Sequence, residues 1–162
     1  MRKINAKPIS VENFMPFGYY TNVLHPTGNN LGEFYYDKIR FPVSGEMPIA
    51  LSPSIVRRTE RMLITMAECH SKTCEGIFAV DDDMILHLAP PTLTPKPELT
   101  EAFIIQQGMA VCIHAGVWHL SAIPLNKKEA HVLIILPERT YYNDCITVNY
   151  EEKDYMEVLH TL

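Results

Sequence analysis

The sequence predicts an all-β protein built mainly from antiparallel strands, with few and short helices. Twelve prolines are spaced along the 162 residues, and proline interrupts helices while turns and edge positions accept it. Asn/Gly clusters such as residues 26–30 separate short apolar segments. These segments are rich in Ile, Val, Phe and Leu, so their length and composition are those of strands.

The apolar segments either alternate with polar residues or run continuously, which are the two patterns that strands show. In chain order, the predicted strands are residues 33–36, 49–51, 61–69, 76–80, 84–89, 101–105, 110–113, 130–136 and 144–149. Evidence for helices is thin. Residues 10–14 predict one short helical turn with Ser10 as its N-cap, where Asn13 is too weak a partner for a full capping box.

The length of the chain predicts one domain, residues 1–162, with enough residues to bury a core. Residues 90–97 carry four prolines in eight positions, PPTLTPKP. We interpret this stretch as a stiff loop that joins two halves of one domain rather than as a linker between domains.

The charge pattern argues against a nucleic acid partner. The net charge is −5, and the 14 Lys and Arg residues form no basic block that would attract a phosphate backbone. The first ten residues lack an apolar core of signal-peptide length, and no apolar run is long enough for a membrane helix. We therefore expect a cytoplasmic protein with no membrane partner, and reduced thiols at its four cysteines, which include no CxxC pair.

Ligand-type side chains concentrate in residues 66–88, between two strand-like runs. Glu68 and His70 are two positions apart, so on a strand both side chains leave the same face. Glu75 follows a turn at residues 71–74, and the returning strand of the hairpin brings its carboxylate back beside His70. The segment therefore predicts a cluster of two carboxylates and one imidazole.

A second stretch, residues 108–119, places His114 and His119 around Gly116. Glycine permits a tight turn that aims His119 inward, and we expect the two stretches to face each other across one pocket. Imidazole and carboxylate ligands together suit a divalent metal such as Mn, Fe, Co, Ni or Zn, with a position left open for a substrate. If no metal binds, the same carboxylates are candidate general bases.

The spacing of these residues resembles the two motifs of the cupin superfamily. The first motif reads His-x-His, three or four residues, then Glu; the second reads Gly, five residues, then Pro-x-Gly-x-x-His. This chain has Glu68 in place of the first His and His114 in place of the Pro. The resemblance implies a double-stranded β-helix, a jelly-roll barrel with the site in its mouth.

Within that superfamily the chain is most similar to the ureidoglycolate lyase family, over residues 10–148. Matching positions are Glu68, His70, Glu75, Phe103, Ile104, His114, Trp118, His119, Glu138, Arg139 and Cys145. The chain departs from the family pattern at Glu75, where the family has Gln, and at Leu120, where a His is usual. The acidic run at residues 81–83 replaces a basic, glycine-containing turn.

This family resemblance implies cleavage of ureidoglycolate to glyoxylate and urea, a step of purine nitrogen salvage, by a homodimer. The expected metal ligands are Glu68, His70, Glu75 and His119. We also expect His114 and Glu75 to transfer protons during catalysis. Arg139 is the expected clamp for the substrate carboxylate, and Trp118 the expected wall of the binding pocket.

Other interpretations of these residues stay open. His25, His87, His131 and His160 have no ligand spacing and are expected in the core or on the surface. Glu68 is also compatible with a solvated strand edge, His114 with a plain turn, Trp118 with a core plug, and Arg139 with a surface pair to Glu138 or Asp144. Residues 81–83 predict a solvated hairpin tip.

Two other functions also fit the sequence. One is a metal-dependent isomerase or lyase for a sugar or hydroxy acid, which the departures at Glu75 and Leu120 favour. The other is a non-catalytic cupin that binds a small carboxylate, because this barrel fold hosts many functions.

Overall fold

The computed structural model describes residues 1–42 and 47–160. Its strands are β1 (Arg2–Asn5), β2 (Lys7–Pro8), β3 (Gly18–Asn22), β4 (Ile49–Arg57), β5 (Leu63–Ile64), β6 (Met66–Cys69), β7 (Glu75–Ala79), β8 (Met84–Ala89), β9 (Glu101–Ile105), β10 (Met109–Ile113), β11 (Trp118–His119), β12 (Ile123–Pro124), β13 (Glu129–Pro137), β14 (Ile146–Asn149) and β15 (Met156–Leu159). The α-helices are α1 (Val11–Phe14) and α2 (Thr140–Asn143), and 3-10 turns cover Pro97–Leu99 and Glu152–Asp154.

Two large sheets make up most of the fold. One runs in the order β3-β10-β7-β13-β4; the other runs β14-β6-β11-β8-β9-β2, with β12 added beside β8. The pairings within them are antiparallel except that of β2 with β9. A small sheet, β1-β15-β5, completes the described part of the chain. The predicted all-β, jelly-roll fold is confirmed.

The main core lies between the facing sides of the two large sheets. Its buried side chains alternate along the strands, as expected where one face of each strand points inward. They include Ile77 and Ala79 of β7, Val111 and Ile113 of β10, Ala130 and Val132 of β13, Met84, Leu86 and Leu88 of β8, and Phe103 and Ile105 of β9. Phe14 and Phe17 close one end by packing edge-on against Phe103.

A second core covers the outer side of β8 and β9. Ile85 and Ala102 point away from the main core and meet Ile4, Ile64, Leu125, Met156 and Val158. These partners come largely from β1, β5 and β15. The small sheet therefore covers the outer face of the large sheet that contains β6 and β11. The long strand β4 belongs to the other large sheet and lies on the side of the barrel where the site is.

Most predicted strands are present, with shifted ends. The segment 49–51 extends through Arg57 as β4, and it passes through Pro53 because β4 is an edge strand that pairs with β13 alone among the described strands. The segment 61–69 divides into β5 and β6, which belong to different sheets. Strands β7 to β10, β13 and β14 fall within about two residues of their predicted positions.

The prediction of a strand at residues 33–36 is wrong. Gly32 adopts a φ of 65°, and the chain turns back so that Leu31 and Phe34 form one isolated bridge. The sequence analysis also missed β1, β2, β3, β11, β12 and β15. Most of these are four residues or shorter, and partners distant in sequence rather than local pattern define them.

Two local predictions need correction. Asn13 does complete a capping box at the start of α1, since its side-chain oxygen accepts from the Ser10 amide and its amide donates to Ser10 Oγ. The tip at residues 81–83 is not simply solvated. Asp82 is buried and accepts hydrogen bonds from the amides of Asn126 and Lys127 and from Asn126 Nδ2.

All four cysteines lie in the described part of the chain and carry free thiols. Cys69 and Cys112 are buried, while Cys74 and Cys145 are partly exposed. Across the described residues, the helices are all too short to span a bilayer.

Candidate metal centre

Three strands bring four ligand-type side chains to one point on the inner side of the barrel. Glu68 lies on β6, His70 directly follows β6, Glu75 begins β7 and His119 ends β11. Glu68 and His119 are direct partners across the antiparallel pair β6–β11. One ligand atom from each of the four residues lies within 4.8 Å of the others, so the predicted convergence of the two stretches is present.

Two turns hold the cluster together. Residues 71–74 reverse the chain between β6 and β7, as the sequence predicted. Gly116 adopts a φ of 80° in the turn closed by the Val117 amide and the His114 carbonyl, a conformation that favours glycine. The Gly116 amide donates to the His70 carbonyl at 2.7 Å, which fastens the second stretch to the first.

The carboxylate of Glu75 bridges the two histidines. Its Oε2 atom lies 2.7 Å from His70 Nε2 and 3.1 Å from His119 Nε2. The two rings stand edge to face with centroids 5.4 Å apart. His70, Glu75 and His119 are each at most 5% exposed, while Glu68 is half-buried. Solvent therefore screens the contacts of Glu75 weakly.

The other ring nitrogens are occupied by carbonyl groups. His70 Nδ1 donates to the main-chain carbonyl of Asp144 at 2.6 Å, and His119 Nδ1 donates to the carbonyl of Val117 at 2.8 Å. In a neutral ring whose Nδ1 carries the proton, Nε2 holds a lone pair. Two lone pairs then face an anionic oxygen, and this arrangement needs either protons or a cation between them.

The pKa shifts of the cluster follow from this geometry. Burial alone would raise the pKa of Glu75, but the charge and hydrogen bond of His119, and then those of His70, lower it to about 2. Burial alone would lower the pKa of both histidines, yet their contacts with Glu75 raise both above the usual value. The protonated cluster thus pairs two imidazolium cations with carboxylates.

The donor set fits a divalent metal ion. Two imidazole nitrogens and two carboxylates are the ligands that Mn, Fe, Co, Ni and Zn accept, and both Nε2 atoms already point at a shared anionic partner. Each Nδ1 donates to a carbonyl, as ligating histidines do in metal sites. An ion held by Glu68, His70, Glu75 and His119 would take the place of the two shared protons.

A pocket of about 260 Å³ opens above the cluster. Glu68, His70 and Glu75 contribute to its floor, and the inner side of β4 and the segment around α2 form its walls. The remaining lining residues are Ala50, Ser52, Pro53, Ser54, Ser121, Ile134, Leu136, Pro137, Arg139, Tyr141 and Cys145. The pocket is large enough for a small organic acid and has both apolar and polar walls.

Arg139 lies at this pocket, at the start of α2. Its backbone is left-handed, with a φ of 63°, and its exposed guanidinium pairs with the adjacent Glu138 at 3.2 Å. The pair with Glu138 that the sequence left open is thus present. An exposed pair of this kind is weak, so it leaves the guanidinium able to turn toward a bound anion.

His114 and Trp118 are not among the described residues that line the pocket. The His114 side chain is exposed, and its ring lies 5.9 Å from that of Tyr19. Trp118 is 2% exposed, packs with Ala67, Cys69 and Ala89, and donates from Nε1 to the Thr92 carbonyl. Their positions match the alternatives of a turn residue and a core plug, and do not support direct roles in catalysis or substrate contact.

The remaining histidines are not members of the cluster of ligands. His25 and His131 are exposed, and His131 Nδ1 contacts Asp81 at 2.9 Å. His160 is half-buried. His87 is 3% exposed, and burial together with the nearby His119 lowers its pKa to about 3, so it stays neutral at ordinary pH.

Sequence reasoning missed the partners of the ligands on the segment that follows α2. The sequence suggests Asp144 only as a surface partner for Arg139, whereas it accepts from His70 Nδ1 through its carbonyl. Cys145 donates from Sγ to Glu68 Oε2 at 3.4 Å, and burial beside Glu68 raises its pKa to about 11. No local spacing indicates these contacts, which join residues more than 70 positions apart.

Comparisons with known proteins show which family this chain resembles. The family model described as ureidoglycolate lyase matches residues 1–157. A protein named ureidoglycolate lyase from Chelativorans sp. (strain BNC1) is 24% identical over 141 residues, covering 83% of this chain and 85% of the relative. One of the same name from Pseudomonas savastanoi pv. phaseolicola (strain 1448A / Race 6) is 25% identical over 145 residues and covers 83% of each chain.

Proposed function

The chain belongs to the ureidoglycolate lyase family, and we propose that it cleaves ureidoglycolate to glyoxylate and urea in the pocket above the Glu/His cluster. The observation that carries this proposal is the Glu75 bridge between His70 and His119 beneath a pocket that Arg139 also lines. This combination offers a polar floor for a hydroxy acid and a cation for its carboxylate. The reaction would place the protein in purine nitrogen salvage.

The pocket walls suit both ends of this substrate. The guanidinium of Arg139 can bind a carboxylate through two parallel hydrogen bonds. Three serines, Ser52, Ser54 and Ser121, line the same pocket, and hydroxyl groups can both donate to and accept from a ureido group. Trp118 precedes His119 on β11, and its packing with Ala67, Cys69 and Ala89 fixes that strand.

The reaction needs two proton movements and no redox change. The carbinol O–H bond breaks, its electron pair forms the C=O bond of glyoxylate, the C–N bond breaks, and the leaving nitrogen takes a proton to give urea. Without a metal ion, Glu68 is the better placed of the two carboxylates to accept the hydroxyl proton and return it to nitrogen, because both histidines already bind Glu75. A divalent ion at the four ligands supplies Lewis-acid polarisation when bound.

His114, which the sequence suggested as a proton carrier, has no part in this scheme, because its side chain is exposed outside the pocket. Glu75 retains an indirect part. By bridging the two rings it keeps their Nε2 atoms directed at one point.

The direct test is to incubate the purified chain with ureidoglycolate and to measure urea and glyoxylate together. We expect equal amounts of both products. Arg139→Ala is expected to raise KM about tenfold or more, since a charge-assisted bidentate contact is lost. Arg57→Ala is the matched control, because Arg57 is also an exposed arginine in an ion pair, with Glu129 at 2.8 Å, but does not line the pocket. Absence of product from the unmodified, metal-supplied protein contradicts the proposal.

A second candidate function is an isomerase or lyase acting on a sugar acid or another hydroxy acid. The buried carboxylate of Glu75 favours this second candidate, because the family pattern has an uncharged amide at that position. The extra negative charge changes which substrates the floor of the pocket can bind. Turnover of hydroxy acids with no release of urea would support this candidate. A third possibility, a non-catalytic carboxylate binder, predicts ligand binding without turnover of either class.

A homodimer is also part of the proposal. Ser52 and Ser54 face the pocket, so the alternating residues Leu51 and Ile55 lie on the opposite side of β4, where they are 61% and 53% exposed. Strand β4 is nine residues long and ends its sheet. A second copy can pack its own Leu51 and Ile55 against this face about a two-fold axis and cover both side chains.

Light scattering of purified protein tests this homodimer. We expect a dimer for the unmodified chain and a monomer for the double variant Leu51→Glu/Ile55→Glu. Leu93→Glu is the control, because Leu93 is fully exposed in the proline-rich loop, and it should stay dimeric. A monomeric unmodified chain at tens of micromolar overturns the proposal of a homodimer.

A further inference from the structure

The residue pair Asp144–Cys145 connects α2 to β14 and contacts two of the three candidate ligands of the first stretch, His70 and Glu68. We propose that Asp144 and Cys145 are positioning residues of the metal centre, where Asp144 fixes the ring of His70 and Cys145 orients the carboxylate of Glu68. This inference rests on the proposed metal centre and adds two residues that neither touch the ion nor belong to its ligand set.

Asp144 holds His70 by its ring. The main-chain carbonyl of Asp144 accepts from His70 Nδ1 at 2.6 Å. This contact fixes the proton on Nδ1 and turns Nε2 toward the cluster. Rotation of the ring would break the contact, so the carbonyl determines both the tautomer and the direction of the ligand atom.

Asp144 also holds the backbone that follows His70. One carboxylate oxygen accepts from the Ser71 amide at 2.9 Å and from Ser71 Oγ at 2.7 Å, and the other accepts from the Lys72 amide at 2.7 Å. The same residue therefore restrains the ring of His70 and the turn beyond it. Loss of the Asp144 carboxylate would remove this restraint on the turn. The main-chain carbonyl of Asp144 would then no longer be held in position relative to the ring of His70.

Asp144 has a fixed position of its own. Its amide donates to the Thr140 carbonyl at 2.8 Å and ends α2. On its other side, β14 begins at Ile146, which pairs with Cys69 of β6. Asp144 is thus anchored at both ends, by the helix before it and by pairing with the strand that carries Glu68.

Cys145 acts on the second ligand. Its Sγ donates to Glu68 Oε2 at 3.4 Å, a normal length for a hydrogen bond from sulfur. Among the described residues this thiol is a side-chain donor to Glu68, and the contact restrains rotation of the carboxylate. Glu68 stands where the cupin pattern has a histidine. The ring of a histidine would be oriented by donating a hydrogen bond to a carbonyl group, whereas a carboxylate needs a hydrogen-bond donor to orient it.

The test measures Co²⁺ affinity by calorimetry, without any substrate, for the unmodified chain and for single variants. Asp144→Ala is expected to weaken binding about 10- to 100-fold, the usual cost of losing a partner of a ligand. The control is Asp82→Ala, because the Asp82 carboxylate also accepts three hydrogen bonds from a neighbouring turn. We expect the control to lower the unfolding temperature of the metal-free protein and to leave Co²⁺ affinity within about twofold.

Cys145 is tested in the same way, with a conservative rescue. Cys145→Ala should weaken Co²⁺ binding about tenfold, whereas Cys145→Ser, whose hydroxyl also donates to Glu68, should bind within about threefold of the unmodified chain. Cys112→Ala controls for loss of a thiol, since Cys112 is buried but does not line the pocket. The visible spectrum of bound Co²⁺ should shift in both alanine variants at the proposed positions.

Unchanged affinity and spectrum in Asp144→Ala and Cys145→Ala overturn the proposal, as does an equal loss in Asp82→Ala or no Co²⁺ binding by the unmodified chain. If Asp144→Ala does not fold, Asp144→Asn, which keeps one acceptor, takes its place and should show an intermediate loss. An intact metal response with no cleavage of ureidoglycolate contradicts the proposed reaction and leaves the positioning roles standing.

Discussion

The Nδ1 atom of His70 lies 2.6 Å from the main-chain oxygen of Asp144, a residue 74 positions further along the chain. Nε2 of the same ring contacts Glu75, five positions away. The ring is therefore held on one side by its own hairpin and on the other by a segment that is distant in sequence.

The first prediction concerns Glu75→Gln. An amide keeps the shape of the side chain but removes the negative charge that raises the pKa of His70 and His119. Burial then dominates, and we expect both histidines to titrate at lower pH than in the unmodified protein. NMR titration of the metal-free protein measures this, with exposed His25 as an internal reference. Unmoved titration of both rings contradicts the bridging role of Glu75.

The second prediction is the pH dependence of the metal-free protein. The raised pKa of His70 and His119 gives stability that is present below about pH 6.5 and is lost as the pH rises through the folded values. The lowered pKa of Glu75 gives stability that is present above about pH 4.5 and is lost as the pH falls toward 2. Urea unfolding in EDTA across pH 4 to 9 should show the alkaline decline in the unmodified protein and a weaker one in Glu75→Gln.

The third prediction is that added divalent metal reverses this alkaline decline. Metal binding requires neutral histidines and displaces the protons shared with Glu75, so apparent affinity should rise with pH. We expect saturating Co²⁺ to raise the unfolding temperature more at pH 8 than at pH 6. His119→Ala, which removes a ligand, should abolish most of that rise. Equal protection at both pH values would count against proton displacement.

The fourth prediction concerns His87. Its pKa is lowered to about 3, so the unfolded chain binds a proton near pH 6.5 that the folded chain does not take up. Each pH unit below 6.5 should therefore cost up to about 1.4 kcal/mol in the free energy of unfolding. His87→Leu should reduce this acid sensitivity, while His25→Leu, at an exposed site, should leave it unchanged. Denaturant unfolding at pH 4 and 6.5 makes the comparison.

The fifth prediction compares two glycines with positive φ. Gly116 has a φ of 80°, and an added Cβ would lie 3.2 Å from Cβ of Pro91; Gly32 has a φ of 65° with nothing within 4 Å. Both alanine variants should lose about 1 kcal/mol from backbone strain. Gly116→Ala should lose more and also weaken Co²⁺ binding, because the Gly116 amide donates to His70. If Gly116→Ala and Gly32→Ala change Co²⁺ affinity equally, the turn at Gly116 does not support the metal site.

The candidate ligands of the first stretch could be predicted because their spacing is local. Glu68 and His70 share a strand face, Glu75 returns on the same hairpin, and Gly116 marks the turn before His119. The apolar strands predicted an all-β fold, and the resemblance to the cupin superfamily implied the barrel that brings His119 to Glu75, 44 positions earlier in the chain.

The features that the sequence did not predict depend on contacts between residues that are distant in sequence. The segments of β1 and β15 pair with each other across nearly the whole chain, and neither carries a strong strand pattern alone. The side chains of His114 and Trp118 matched a motif, but tertiary packing directs one to the surface and the other into a small core. Asp144 and Cys145 meet the ligands through strand pairing, which no local spacing encodes.

Trp118 is the chain's single tryptophan, and it immediately precedes His119 while its indole N–H is fixed on the Thr92 carbonyl. Any fluorescence that the protein emits on excitation near 295 nm therefore originates beside the ligand cluster. A change that metal binding causes around the indole would be visible optically in the unlabelled protein, in real time and at low concentration.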